Sequence, residues 1–312
     1  MKLISVIIVS WNARGYLRGC LESLRAHGSA LIHEIIVVDN SSTDGSPEMV
    51  ESEFKEVTLI RAGGNLGFAR ANNLGIARAT GEVLALINSD VVLHEGCFEQ
   101  LTAILVSRPE VGLVGPKVIG GDGKLQPSCR RLPSVWNIFC RVLALDAAFP
   151  KSSLFAGRDR PDLDPDKLAE VEVLSGCFWV ARRTAVAKVG GLDERFFFYA
   201  EDVDWCKRFR EAGWTVLYVP AGRATHFGGG SSSNAPLRYS IEILRANLLY
   251  WRKHHGVIGW AAYYFLSFTH HFLRFVPRGI KRLLRGRTEE ELNHKFAEDY
   301  TCLRWLLTGR GV

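Results

Sequence analysis

The chain has 312 residues, 47% apolar and 23% charged, which excludes disordered and collagen-like classes and implies one large or two modest globular domains. Its seven cysteines, Cys20, Cys97, Cys129, Cys140, Cys177, Cys206 and Cys302, include no CxxC pair, so a disulfide framework and a cysteine zinc site are disfavoured and a reducing cytoplasm is expected. The net charge of +6 is unevenly placed, because residues 1–235 carry 26 Lys/Arg against 27 Asp/Glu while residues 236–312 carry 13 against 6.

The apolar run at 3–9 is too short for a signal peptide, lacks a small-residue cleavage site and is soon followed by Arg14 and Arg18, so it reads as a buried strand. Further β-branched runs at 35–38, 57–60 and 83–87 alternate with segments of helical spacing. This pattern predicts a parallel sheet covered on both faces. Between the first two runs, Leu17, Leu21 and Leu24 share one helix face, which completes a βαβ unit. Ligands of such sheets bind outside the carboxyl ends of the strands, so the exits carry most weight. They are Ser10-Trp11-Asn12, Asp39-Asn40-Ser41, residues 61–65 and Asn88-Ser89-Asp90, and all are polar. After 111–115 the alternation fades, and residues 120–170 read as an excursion or mobile loop around the site. A second block spans 171–227, with strands at 171–173 and 215–219 and a helix opening at Glu201. The run from Gly228 to Asn234 reads as a flexible loop. The expected division is therefore a sheet domain over 1–235 and a helical region over 236–312.

Several of these segments have a chemical reading beside a structural one. Asp39 either forms a turn and caps the following helix or accepts hydrogen bonds from a nucleotide's base or ribose. The stretch from Gly63 to Gly75 resembles a phosphate-binding turn, with Gly67 and the amides of Asn65, Asn72 and Asn73 suited to a polar ligand, yet it matches neither GxGxxG nor GxxxxGK[ST]. Asp90 ends a buried strand, where a carboxylate either caps the next helix or supplies oxygen to a divalent cation such as Mg²⁺. Glu201, Asp202 and Asp204 open a helix, where acids favour the positive end of the dipole. The aromatic run Phe196-Phe197-Phe198-Tyr199 before them forms an apolar wall at which one acid can become a general base. His226 is either an ordinary loop residue or a metal ligand.

Taken in order, Val6 to Asn12, Ile36 to Gly45, Asn65 to Asn73, Asn88-Ser89-Asp90, Ser175 to Phe178 and Gly191 to Asp204 resemble the family 2 glycosyltransferases of GT-A fold, and within them the bacterial rhamnosyltransferase-like branch. The resemblance implies an α/β, Rossmann-like, mostly parallel sheet flanked by helices. It also implies inverting transfer of a sugar from a nucleoside diphosphate donor to a glycan or lipid-linked hydroxyl. It places Ser10, Asn12, Asp39, Asn65, Gly67, Asn72, Asn88, Ser89 and Asp90 at the nucleotide sugar. Asp90 and His226 would lie at a Mg²⁺ or Mn²⁺ ion, and Asp202, with Glu201 as the alternative, would be the base. The implied donor is dTDP-rhamnose, with a UDP-sugar as the alternative. Asn88 stands where related enzymes have the first acid of a DxD.

The tail is read from composition. Residues 256–273 hold no Asp, Glu, Lys or Arg, and six Lys/Arg without an acid lie between Arg274 and Arg287. Aromatics beside a basic cluster suit a helix lying on an anionic inner leaflet, so peripheral contact through 251–287 on the cytoplasmic face is expected. Core packing, a homo-oligomer contact and a short membrane span are the alternatives. A nucleic-acid binder gripping phosphates with this tail competes, but the neutral first 235 residues lack a basic stripe, so no nucleic-acid partner is expected. A nicotinamide dehydrogenase is disfavoured by the missing GxGxxG after the first strand.

Overall fold

Side chains branched at Cβ pack well on a pleated surface buried on both faces, and the Val- and Ile-rich runs accordingly become parallel strands. The computed structural model describes residues 3–28, 30–228, 236–285 and 290–309. Its first half runs β1 (Ile4–Ser10), α1 (Arg14–His27), β2 (Ile32–Asp39), α2 (Ser46–Glu53), β3 (Val57–Arg61), α3 (Phe68–Arg78) and β4 (Val83–Asn88). Next come β5 (Val91–Leu93), α4 (Cys97–Ser107), β6 (Val111–Gly120), β7 (Cys129–Arg130), α5 (Val135–Val142) and α6 (Leu145–Ala148). The remainder is β8 (Ala169–Glu170), β9 (Val173–Leu174), β10 (Phe178–Arg182), α7 (Arg183–Val189), α8 (Glu201–Glu211), β11 (Thr215–His226), α9 (Pro236–Arg285) and α10 (Glu290–Thr308).

The main sheet has the order β3-β2-β1-β4-β10-β6-β11-β5. Strands β1 to β4 pair in parallel, as do β6 and β11, while β10 is antiparallel to both neighbours and β5 to β11. The register aligns the exits, since Ser10 pairs with Asp39, Asp39 with Arg61, and Val9 with Asn88. Helix α1 buries Leu17, Leu21 and Leu24 as their spacing requires. The core gathers these with Ile4, Val6, Ile8, Val37, Ala85 and Phe178. All seven cysteines are buried and free.

Three sequence expectations change. The strand expected at 215–219 continues to His226, because the register shift between Val219 and Arg223 absorbs Pro220-Ala221-Gly222 as a bulge. Of the strand expected at 171–173 only Val173 lies in a strand, β9; β8 ends at Glu170, and between them Val171 N–H bonds to the Val216 carbonyl. Residues 120–170 are not one loop: they hold α5, which opens on a reciprocal cap in which Ser134 Oγ accepts from Asn137 N–H and Asn137 Oδ1 from Ser134 N–H.

The described residues divide into two compact units, one drawn from Met1–Leu132, Leu163–Phe197 and Glu201–Ser231, the other from Pro133–Asp162, Phe198–Ala200 and Ser232–Val312. Residues 133–162 and 198–200 thus belong with the carboxy-terminal helices, which a single division near 235 does not express. That boundary and the glycine run from Gly229 onward lie outside the described residues. In the second unit α9 breaks at Gly256, whose φ of 66° and ψ of −160° are open to a residue without Cβ. Leu244, Leu248, Cys302 and Leu306 form its small core, against which Trp260, Tyr263, Tyr264, Phe268 and Trp305 pack. Part of the aromatic stretch therefore serves core packing. Among the described residues no helix is long and apolar enough to cross a membrane, so the reading of 256–273 as a span falls.

Candidate active site

At the first two exits, turns clasp each other. Asn12, at a left-handed φ of 49°, accepts from Thr43 N–H at 2.7 Å through Oδ1 and donates its own N–H to Ser42 Oγ at 2.9 Å. Asp39 is buried and accepts from Ser42 N–H at 3.2 Å. The turn expected of Asp39 is thus present, whereas the carboxylate serving the start of α2 is that of Asp44, which accepts from Ser46 N–H at 3.0 Å. Ser10 beside it is 1% exposed, and its Oγ has no hydrogen-bond partner.

The glycine-rich turn is held by Asn40, a residue that sequence reading treated only as part of a polar run. Its Oδ1 accepts from Leu66 N–H at 2.8 Å, and its Nδ2 donates to Asn65 Oδ1 at 3.0 Å and to the Gly67 carbonyl at 3.3 Å. Gly67, at φ +80°, lies so close to Phe197 that a Cβ would overlap the Phe197 carbonyl and ring. Asn72 is buried, and its amide donates back to the Phe68 carbonyl at 2.9 Å inside α3. Asn73 is bonded to the backbone of Leu192 in both directions. Of the candidate amides, Asn65 therefore stays at the turn, while Asn72 and Asn73 serve packing.

Beyond β4, Asn88 donates its N–H to the Cys177 carbonyl at 2.9 Å, Ser89 is half-buried in the turn, and the Asn88 Oδ1 is buried without a partner. Pairing of β5 with β11 sets His226 opposite Val91, which brings Nε2 to 3.2 Å from Asp90 Oδ1. Gln126 Oε1 lies 2.7 Å from His226 Nδ1. An amide oxygen there accepts the Nδ1 proton, so a neutral ring turns its Nε2 lone pair toward the Asp90 carboxylate. Two lone pairs so placed need a proton or a cation between them. The donor set fits a divalent cation, because adjacent octahedral ligands at about 2.1 Å from a metal lie about 3.0 Å from each other. Among the described residues no group of three or more His, Cys, Asp or Glu is placed to hold a metal ion, so further ligands would come from Asn88, phosphate oxygens or water. Gln126 was invisible to sequence reading, since it sits in the excursion without a pattern.

The acids of α8 differ in environment. Asp204 is fully buried and paired with Arg208 at 2.8 Å, whose other nitrogens donate to the Val189 and Gly191 carbonyls. Glu201 is 6% exposed, and its Oε2 lacks a partner. Burial first, and then the neighbouring Asp202 charge, raise its carboxyl to about 8. Asp202 is half-buried and accepts from Val203 N–H at 2.8 Å. It sits over Gly176, where an added Cβ would stand 3.5 Å from its own. The Cys177 thiol is pushed up to about 12 by burial, and both Asp90 and Asp202 add to this. The 176–177 turn touches both regions, Cys177 accepting from Asn88 N–H two residues before Asp90 and Gly176 lying against Asp202.

A mostly parallel sheet whose carboxyl ends gather unpartnered polar atoms and carboxylates is an architecture that binds nucleotides at those ends. Residues 5–190 match the model of glycosyl transferase family 2, and the chain belongs to that family; it is a glycosyltransferase that uses a nucleotide sugar. It is 28% identical over 270 residues to the N-acetylglucosaminyl-diphospho-decaprenol L-rhamnosyltransferase of Mycobacterium tuberculosis, covering 83% of this chain and 86% of the relative. Rhamnosyltransferase WbbL of Escherichia coli is 24% identical over 72% of this chain and 83% of its own. Among solved structures, the mannosyltransferase PcManGT of Pyrobaculum calidifontis, in complex with GDP-Man and Mn²⁺, superposes with a TM-score of 0.59 at 16% identity, covering 98% of this chain and 87% of the other. The GT-A fold expected from the sequence is thereby found.

Proposed function

We propose that the protein transfers rhamnose from dTDP-rhamnose, with inversion, to a hydroxyl of a lipid-linked acceptor during cell-surface glycan synthesis. The observation that carries the mechanism is that the 176–177 turn touches both acidic regions, Cys177 accepting from Asn88 N–H beside the Asp90–His226 pair and Gly176 lying against Asp202. The rhamnosyltransferase names of two relatives support the sugar and the lipid-linked acceptor. Asp39 and Asn65 hold the nucleotide, with Ser10 Oγ and Asn12 beside them. Asn88, Asp90 and His226 would hold a Mg²⁺ or Mn²⁺ ion, whose chemistry is to neutralise the charge that collects on a departing diphosphate. Asp202 accepts the acceptor's hydroxyl proton as that oxygen bonds to the anomeric carbon and the bond to the diphosphate breaks.

A thermal-shift screen of nucleotides and sugar nucleotides tests the donor. A ligand at 100 times its Kd adds about 2.7 kcal/mol, so dTDP-rhamnose with Mn²⁺ should give the largest shift. A larger shift from a UDP-hexose would replace rhamnose by that sugar. In the same assay Asp90→Ala should weaken dTDP at least tenfold in the presence of Mn²⁺ and abolish the increment the metal gives. Titration calorimetry showing unchanged affinity and unchanged metal response would reduce Asp90 to a turn residue.

The second unit supports peripheral attachment to the cytoplasmic face of a membrane. Helix α9 carries nine Lys/Arg and one Glu, and it exposes Ile258, Phe265, Leu283 and Leu284. Apolar burial and basic residues worth about 1 kcal/mol each near an anionic surface act together in such helices. The full chain should sediment with anionic vesicles and be released by high salt; binding that ignores salt, or none at all, would refute this attachment.

A further inference from the structure

The histidine that faces Asp90 is held from behind by a short hairpin. At the end of β6 the chain turns back on itself, so that Gly120 N–H donates to the Lys124 carbonyl at 2.7 Å and Gln126 N–H to the Val118 carbonyl at 2.9 Å. A bridge between Ile119 and Leu125 lies between these bonds, and Asp122 Oδ1 accepts from Lys124 N–H at 3.0 Å inside the turn. Three points of the hairpin meet the end of β11. Gly120 is the register partner of His226. Gly121 lies under the Phe227 ring, where an added Cβ would stand 2.8 Å from a ring carbon. Gln126 Oε1 reaches His226 Nδ1 at 2.7 Å.

Phe227 N–H donates to the Asp90 carbonyl at 3.0 Å, so the backbones of the histidine and the acid are already joined. The backbone does not decide which imidazole nitrogen carries the proton. A proton on Nε2 would be donated to Asp90, and the pair would then satisfy itself with no lone pair left for a cation. A proton on Nδ1 leaves the Nε2 lone pair facing the carboxylate. The His226 side chain is only 14% exposed, so an Nδ1 proton needs an acceptor from the protein, and the Gln126 amide oxygen is in place.

We propose that Gln126 is a positioning residue for the cation site: it accepts the Nδ1 proton and thereby keeps the Nε2 lone pair of His226 turned toward Asp90, with the 118–126 hairpin as its rigid mount. This rests on the reading of Asp90 and His226 as cation ligands and adds to it a residue that touches neither the cation nor the sugar nucleotide. Removing an acceptor from behind a ligating histidine costs about 10–100-fold in metal affinity.

The test titrates Mn²⁺ into the full chain, alone and with dTDP or UDP, and reads the free ion by electron paramagnetic resonance. Gln126→Leu keeps the bulk and removes the acceptor, so it should weaken Mn²⁺ about 10–100-fold while the melting temperature and the metal-free nucleotide affinity stay at wild-type values. Gln126→Glu keeps an acceptor and should bind Mn²⁺ at least as tightly as the wild type. With Mg²⁺ and the nucleotide bound, ¹⁵N-edited spectra should show a slowly exchanging His226 Nδ1 proton in the wild type and in Gln126→Glu, assigned by its loss in His226→Gln and absent from Gln126→Leu. Unchanged Mn²⁺ affinity in Gln126→Leu beside a clear loss in His226→Gln would overturn the role of Gln126 and leave the cation site standing. Unchanged affinity in both His226→Gln and Asp90→Ala would overturn the cation site itself. Where Gln126→Leu fails to fold, the wild-type spectrum decides, since a proton on Nε2 in the loaded protein would overturn the proposal.

Discussion

Asp202→Asn is expected to lower turnover by about 10²–10⁴ while leaving nucleotide affinity nearly unchanged, because the amide keeps the shape of the side chain and cannot take up a proton. The three acids of α8 are separable on structural grounds. Asp204 is committed to Arg208 and to the backbone that Arg208 ties down, so its loss should cost folding before chemistry. Glu201, raised to about 8 by burial, holds its proton at neutral pH and so cannot take up another. Asp202 is half-buried and lies against Gly176, beside the Cys177 whose carbonyl accepts from Asn88 N–H. The measurement is single-turnover transfer with purified variants, alongside calorimetry for the donor. Wild-type turnover in Asp202→Asn would pass the role to Glu201, and a matching loss of nucleotide affinity would show that Asp202 binds donor instead.

The parallel half of the sheet was legible because two-sided burial writes itself as uninterrupted Val and Ile runs, and the polar exits followed from where those runs stop. Asp39, Asp90 and Asn88 needed no tertiary information to be noticed. The meeting of His226 with Asp90 was different. It depends on β11 running on past Pro220, and Pro-Ala-Gly reads as a stop when a bulge cannot be foreseen. Asn40 and Gln126 were passed over because a side-chain amide has no periodicity; only the hydrogen bonds to Leu66, Gly67 and His226 distinguish them from ordinary turn residues. Helix α5 hid behind Gly, Pro and mixed charge on either side, and its cap uses Asn137 where Glu or Gln is the usual signal. Asn72 shows what spacing cannot carry, since its amide is bonded within its own helix, which no pattern of residues announces.

The pH dependence of stability should change sharply in Glu201→Gln. In the folded chain Glu201 keeps its proton up to about 8, whereas the unfolded chain releases it near the ordinary 4.5. Between these values the native state binds one more proton than the unfolded state, so the contribution of this group to stability falls as pH rises. It is fully present below about 4.5 and lost by the time pH passes 8. Each tenfold change in proton affinity corresponds to about 1.4 kcal/mol, so the wild type should lose a few kcal/mol across this window relative to a variant that cannot ionise there. Glutamine has nearly the same volume, and its cost at pH 5 is confined to the exchange of one buried polar group for another. Urea denaturation at pH 5, 7 and 9 should therefore show Glu201→Gln slightly less stable than wild type at pH 5 and distinctly more stable at pH 9. Parallel curves would mean that Glu201 is ionised throughout. Adjacent carboxylates would then both be charged at the start of α8, and the assignment of the base to Asp202 alone would lose its electrostatic ground.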